Sequence, residues 1–181
     1  MRPRIARGAN DYTNDQSYIH HLSQQDVANI NSALSALNNA GRSYPKFNQT
    51  DFPLAQFGAK LTRLADELED GRGFFLLRGL PLDDYSEDQV HTIYYGIGLH
   101  LGIPVGQNPR GDILGGVENI GDPNDKQTRV YETNLYLPYH TDPSDVVGLL
   151  CLRQAKRGGL SSLVSVAAIY NQLLSQHPEY L

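Results

Sequence analysis

The tripeptide His140-Thr141-Asp142 pairs an imidazole with a carboxylate two positions apart, in the segment Leu135-Tyr136-Leu137-Pro138-Tyr139-His140-Thr141-Asp142. On an extended strand, residues i and i+2 project from one face, so both side chains would lie together. Joined by a second histidine, two such ligands make the 2-His-1-carboxylate triad, which leaves positions open on non-haem Fe(II) for substrate and oxygen. Pro143 follows at once and limits continuation of a strand, placing both residues at its rim. The competing reading of a His or Asp there is a turn or hydrogen-bonding residue.

No second histidine for this site is evident. His20 and His21 are adjacent, and side chains at i and i+1 diverge on a regular element, which favours a surface pair. His91 and His100 lie nine residues apart, about 180° around a helix, so structural roles are expected for them. His177 stands just before Pro178, after the last predicted helix, and is not expected to complete the set. Arg157-Gly158-Gly159-Leu160-Ser161-Ser162-Leu163-Val164-Ser165 is a glycine turn followed by hydroxyls and a helix start. It reads either as an anion cradle or as a tight turn with an N-cap, and it lacks the spacing of a nucleotide P-loop. Cys151, the only cysteine, sits in an apolar run that predicts a small buried side chain and no intrachain disulfide.

Composition narrows the class. The 181 residues, 40% apolar and 19% charged, suit one soluble globular domain. A net charge of −5 with scattered Lys and Arg argues against a nucleic-acid surface. No window approaches the roughly 18 apolar residues that span a bilayer, and the basic start lacks an apolar leader stretch, so a cytoplasmic location without membrane contact is expected.

The elements that must hold these groups follow from periodicity. Residues 1–22 are polar and without period, and read as a flexible lead-in. Val27, Ile30, Leu34 and Leu37 recur at helical spacing after Ser23 and Asp26, which resemble a capping arrangement, and Gly41 stops the helix. A second helix is predicted from about Asp51 to Asp70 with the stripe Leu54, Phe57, Leu61, Leu64 and Leu68, completing an N-terminal helical region over 23–72. Gly73 to Gly79 reads as a buried strand. Ser86 and Gln89 cap a third helix carrying Val90, Ile93, Tyr94, Ile97 and Leu101. Residues 103–134 read as loops with short strands, including Ile113-Leu114 and Val130-Tyr131. Strands are predicted over Leu135–Thr141 and Val146–Gln154, and a last helix after Ser165 with Val166, Ile169, Leu173 and Leu174 buried.

In their order, the strand Gly73-Phe74-Phe75-Leu76-Leu77-Arg78-Gly79, the helix leading to Leu101-Gly102-Ile103-Pro104, Tyr139-His140-Thr141-Asp142, and Gly158-Gly159-Leu160-Ser161-Ser162 resemble the TauD/TfdA family of Fe(II)- and 2-oxoglutarate-dependent dioxygenases, nearest in flavour to its fungal members. The resemblance covers residues 73–181. It implies an α+β chain whose double-stranded β-helix, a clavaminate synthase-like jelly roll, is incomplete. His140 and Asp142 look like the first two metal ligands, and Ser161 aligns with a family threonine that helps bind 2-oxoglutarate, although the family often has Gly-Gly-Asp-Thr where this chain has Gly-Gly-Leu-Ser. The implied reaction couples decarboxylation of 2-oxoglutarate to succinate with hydroxylation of a small-molecule substrate, and no catalytic acid or base is assigned. In the family the second iron-binding histidine and a 2-oxoglutarate-binding arginine lie far downstream. A chain ending at Leu181 is expected to lack them, to turn over weakly or not at all, and to form oligomers through open sheet edges. The rival classes are a non-catalytic anion-binding or interaction module and a structural fragment that needs a partner chain.

Overall fold

The computed structural model describes residues 12–108, 110–122, 124, 128 and 133–180. The chain forms two compact units, one comprising Met1–Ile103 with Gly148–Leu181 and the other Pro104–Val147.

In the first unit, α1 (Gln24–Asn39) begins at a capping box in which Ser23 Oγ accepts from the Asp26 N–H and the Asp26 carboxylate accepts from the Ser23 N–H. Gly41, at φ 66°, ends it in the left-handed region. The second helix starts at Ala55, later than the predicted start near Asp51. A 3₁₀ turn, Gln49–Asp51, is closed by its own Asn48 cap, and the backbone then turns through Ala55 at φ 44° before α2 (Ala55–Glu69) runs on. With no side-chain cap of its own, α2 passes the Phe57 N–H to Asn29 Oδ1 of α1 at 3.2 Å. The third helix, α3 (Glu87–Gly98), starts at the predicted Ser86–Gln89 box.

These helices enclose the core: Ile30, Leu34 and Leu37 of α1, Phe57, Leu61 and Leu64 of α2, Ile93, Tyr95 and Ile97 of α3, and Phe47 and Phe52 from the connection. Tyr95 is buried where the predicted Tyr94 is only partly so, and it meets the Phe47 ring edge-on at 5.0 Å. Gly96 lets α3 approach closely, because a Cβ there would overlap the Phe52 ring. His100 ties the connection down: its Nε2–H donates to the Phe52 carbonyl at 2.8 Å, and its Nδ1 accepts from the Gln49 amide at 3.3 Å. The structural role expected for His100 is therefore observed.

The most polar member of this core is Asp26, 2% exposed. Lys60 Nζ donates to both its oxygens at 2.8 and 2.7 Å, and the Ser23 hydroxyl donates at 2.7 Å. Burial pushes the Asp26 carboxyl up, but the Lys60 and Ser23 hydrogen bonds outweigh it and hold the group below the ordinary carboxylate range.

The only strands among the described residues are β1 (Ile19–His21) and β2 (Leu76–Arg78), paired in parallel with Ile19 opposite Leu76. The lead-in reading did not anticipate β1, whose three residues are too few to show a period; residues 1–11 lie outside the described set. Within this strand His20 packs edge-on against Phe75 at 6.2 Å.

The expected jelly roll is not formed. Leu135–Thr141 and Val146–Gln154 carry no strand, and Val130-Tyr131 lies outside the described residues. A ladder needs a neighbour for its N–H and C=O groups, and among the described residues these segments have none. Uncovered, they leave Cys151 exposed rather than buried. The last helix, α4 (Val166–Gln176), is capped by Ser165 as predicted. The face expected to be buried is instead open, with Val166, Ile169 and Leu174 exposed.

Three outcomes test this packing. Gly96→Ala should destabilise the chain by about 1–3 kcal/mol through overpacking against Phe52, measured by chemical denaturation. Asp26→Ala should cost roughly 2–4 kcal/mol, less than a fully buried pair because Lys60 is half exposed. Since folding depresses the Asp26 carboxyl, its contribution is present above the ordinary carboxylate range and is lost as pH falls through the folded value. Wild-type stability should accordingly drop more steeply in acid than that of Asp26→Asn.

Candidate metal centre

His140 and Asp142 belong to the Pro104–Val147 unit, where the backbone is irregular. Near its start, the Asn108 amide and Arg110 Nε both donate to the Asp112 carboxylate, at 2.7 and 3.2 Å. The segment leading to the motif is held by short-range bonds: the Leu135 N–H donates to Thr133 Oγ1 at 3.2 Å.

The decisive local bond links the His140 ring to the chain two residues back. Nδ1 lies 2.8 Å from the Pro138 carbonyl oxygen. A carbonyl can only accept, so Nδ1 carries the proton and Nε2 of the neutral ring keeps its lone pair. That free nitrogen is 3.9 Å from Asp142 Oδ1, and both side chains are about half exposed. The structure thus brings the two predicted ligands together, without the strand invoked to align them.

The donor set fits a divalent first-row ion in kind: one neutral imidazole nitrogen and one carboxylate oxygen, with the other ring N–H bonded to a carbonyl as metal-ligating histidines commonly are. Such ions hold these donors at about 2.0–2.2 Å, which puts two ligands at right angles roughly 3 Å apart, so modest side-chain rotation closes the present gap. No cluster of three or more His, Cys, Asp or Glu side chains occurs among the described residues. His177, the one later histidine, accepts the C-cap position of α4 and meets Glu179 at 3.2 Å.

Ser161 belongs to the other unit and is exposed. It follows Gly158 and Gly159, both in the left-handed region at φ 72° and 71°. Ser165 Oγ accepts from the Ala168 N–H at 3.1 Å, so that hydroxyl already serves as the N-cap of α4. Sequence reasoning missed the Pro138 carbonyl. Its signal was available, since proline has a carbonyl but no N–H, and this one stands two residues before the histidine.

Residues 39–181 match the family described as "Taurine catabolism dioxygenase TauD, TfdA family". This chain belongs to the TauD/TfdA dioxygenase family. The family uses Fe(II) and 2-oxoglutarate. The chain is 36% identical over 156 residues to "FR-33289 synthase" of Streptomyces rubellomurinus, a match covering 85% of the chain and 46% of that relative. It is 29% identical over 189 residues to "Taurine hydroxylase-like protein SAT17" of Stachybotrys chartarum, covering the whole chain and 49% of that protein. The chain therefore spans about half the length of the curated relatives it matches. No helix among the described residues is long and apolar enough to cross a membrane.

The ring geometry makes one direct prediction. With the ring neutral, long-range ¹H–¹⁵N correlation should show His140 protonated at Nδ1. An Nε2–H ring would contradict the Pro138 bond.

Proposed function

We propose that the protein is an Fe(II)- and 2-oxoglutarate-dependent oxidoreductase of the TauD/TfdA type that hydroxylates a small organic substrate. The observation that carries this reading is the pairing of a lone-pair nitrogen on His140 with the Asp142 carboxylate, within a chain of that family. His140 would supply a neutral ligand and Asp142 a charge-compensating one. Neither serves as a general base. When bound, the iron would activate O₂, one oxygen atom going to the succinate formed as 2-oxoglutarate loses CO₂ and the other to the hydroxylated substrate. Ser161 is proposed, from the family resemblance, as a hydroxyl that helps hold the 2-oxoglutarate. The name of one relative as a hydroxylase-like protein supports the reaction type.

Two protein donors are a weak hold on Fe(II), which stands low in the divalent affinity order. Turnover by the 181-residue chain alone is accordingly expected to be absent or very weak.

Anaerobic titration with Mn(II) tests the reading. Wild type should bind the ion at least roughly tenfold more tightly than Asp142→Ala or His140→Ala, a modest demand given that even outer-shell losses cost 10–100-fold. Equal affinity in all three would leave an interaction module with no metal role for the pair.

A further inference from the structure

Asp83, Asp84, Glu87 and Asp88 are the only Asp, Glu, Lys or Arg residues between Arg78 and Arg110, so the 3₁₀ turn Leu82–Asp84 and the first turn of α3 carry charge of one sign. Within the first compact unit a cavity of about 220 Å³ opens there, lined by Ser43, Tyr44, Asp88, His91 and Thr92. Asp88 and His91, three positions apart on α3, are neighbours on one face of the helix. Among the described residues neither of these side chains, nor the Ser43 hydroxyl, has a hydrogen-bond or ion-pair partner, whereas the Thr92 hydroxyl already donates to the Asp88 carbonyl at 2.8 Å. The Tyr44 ring lies 6.3 Å from the His91 ring and is set edge-on against Tyr95 of the core at 5.2 Å. Arg42, the cation next along the chain, is held by Asp51.

We infer that this cavity binds a small primary ammonium compound, independently of the His140 and Asp142 pair. Charge excludes an anion, since a carboxylate lines the cavity, three more lie within five residues of it along the chain, and no Lys or Arg is in the lining. The open acceptors then choose among cations. The Asp88 carboxylate, a ring nitrogen of neutral His91 and the Ser43 hydroxyl oxygen can each accept one of the three N–H donors of a primary ammonium group. A quaternary ammonium ion carries the same charge but has no N–H to give. A metal ion would find only two His, Cys, Asp or Glu donors in this lining. Tyr44 adds an aromatic surface against which a cation can lie. The volume falls below the roughly 300–1,000 Å³ of pockets that take drug-sized ligands, so the ligand is a small molecule.

Amide chemical-shift titration of the whole chain with ethanolamine tests the inference, with choline as its trimethylated twin and ethylene glycol as its uncharged one. Ethanolamine should bind saturably with a roughly millimolar dissociation constant, as about four non-hydrogen atoms allow. Its shifts should gather at residues 43–44 and 88–92. Choline should bind at least about tenfold more weakly for want of N–H donors, and ethylene glycol should not saturate. Asp88→Asn should raise the ethanolamine dissociation constant at least about tenfold, the cost of losing a hydrogen bond to a charged group. Asp66→Asn, which removes an exposed carboxylate from α2, should leave it near the wild-type value and so separates the cavity from general attraction to an acidic chain. Asp88 is itself exposed, so helix content and the unfolding midpoint of both variants should match wild type. A response to ethanolamine that does not saturate, choline binding as tightly, or an Asp88→Asn chain with unchanged affinity overturns the inference.

Discussion

A β-strand is held by what lies beside it: each backbone N–H and C=O needs a partner on a neighbouring chain segment, and apolar side chains alone do not supply one. That constraint governs the second half of this molecule. Residues 19–21 and 76–78 satisfy each other in parallel register, and they are the strands that form among the described residues. The runs around Leu137 and Leu149 have strand composition but no such partner among the described residues; they are irregular and their side chains are exposed. The exposure of Cys151 and of the α4 face has the same origin, for a covering layer that is not built leaves both open.

The helical region escapes this dependence because its hydrogen bonds are local. The Ser23–Asp26 and Ser86–Gln89 boxes span three residues each, and the stripes of α1, α2 and α3 repeat within a turn, so a reading of neighbouring positions locates all three helices. What escaped that reading is long-range. Lys60 reaches Asp26 across 34 positions, Asn29 caps α2 from α1, and His100 donates to a carbonyl 48 residues earlier. Their residue types are ordinary for surface positions, and only the packing makes them structural. The start of α2 at Ala55 rather than near Asp51 was hidden for a related reason, since the Asn48 cap closes a short 3₁₀ turn, Gln49–Asp51, first.

The candidate centre divides along the same line. Its first half is local: the Pro138 carbonyl, the His140 ring and the Asp142 carboxylate lie within five residues, and the bond from Nδ1 presets which nitrogen can bind a metal. Strand alternation predicted the pairing of His140 and Asp142 for a reason that does not hold here, yet the two meet because proximity along the chain suffices. A third donor is by nature a long-range partner, like Lys60 to Asp26, and no local pattern could announce it.

This division also bears on how the proposed site would hold a metal. A facial site needs its donors fixed in mutual geometry before the ion arrives, and fixation comes from the scaffold around them. Here the ring tautomer is set by one short hydrogen bond to Pro138, while both side chains remain about half exposed. Ordering two mobile side chains around an ion costs conformational entropy that a rigid β-scaffold would have removed in advance. On the proposed reading, metal affinity would depend on the ordering of residues 135–142 as well as on the number of donors, and any contact that orders that segment would raise it without adding a donor.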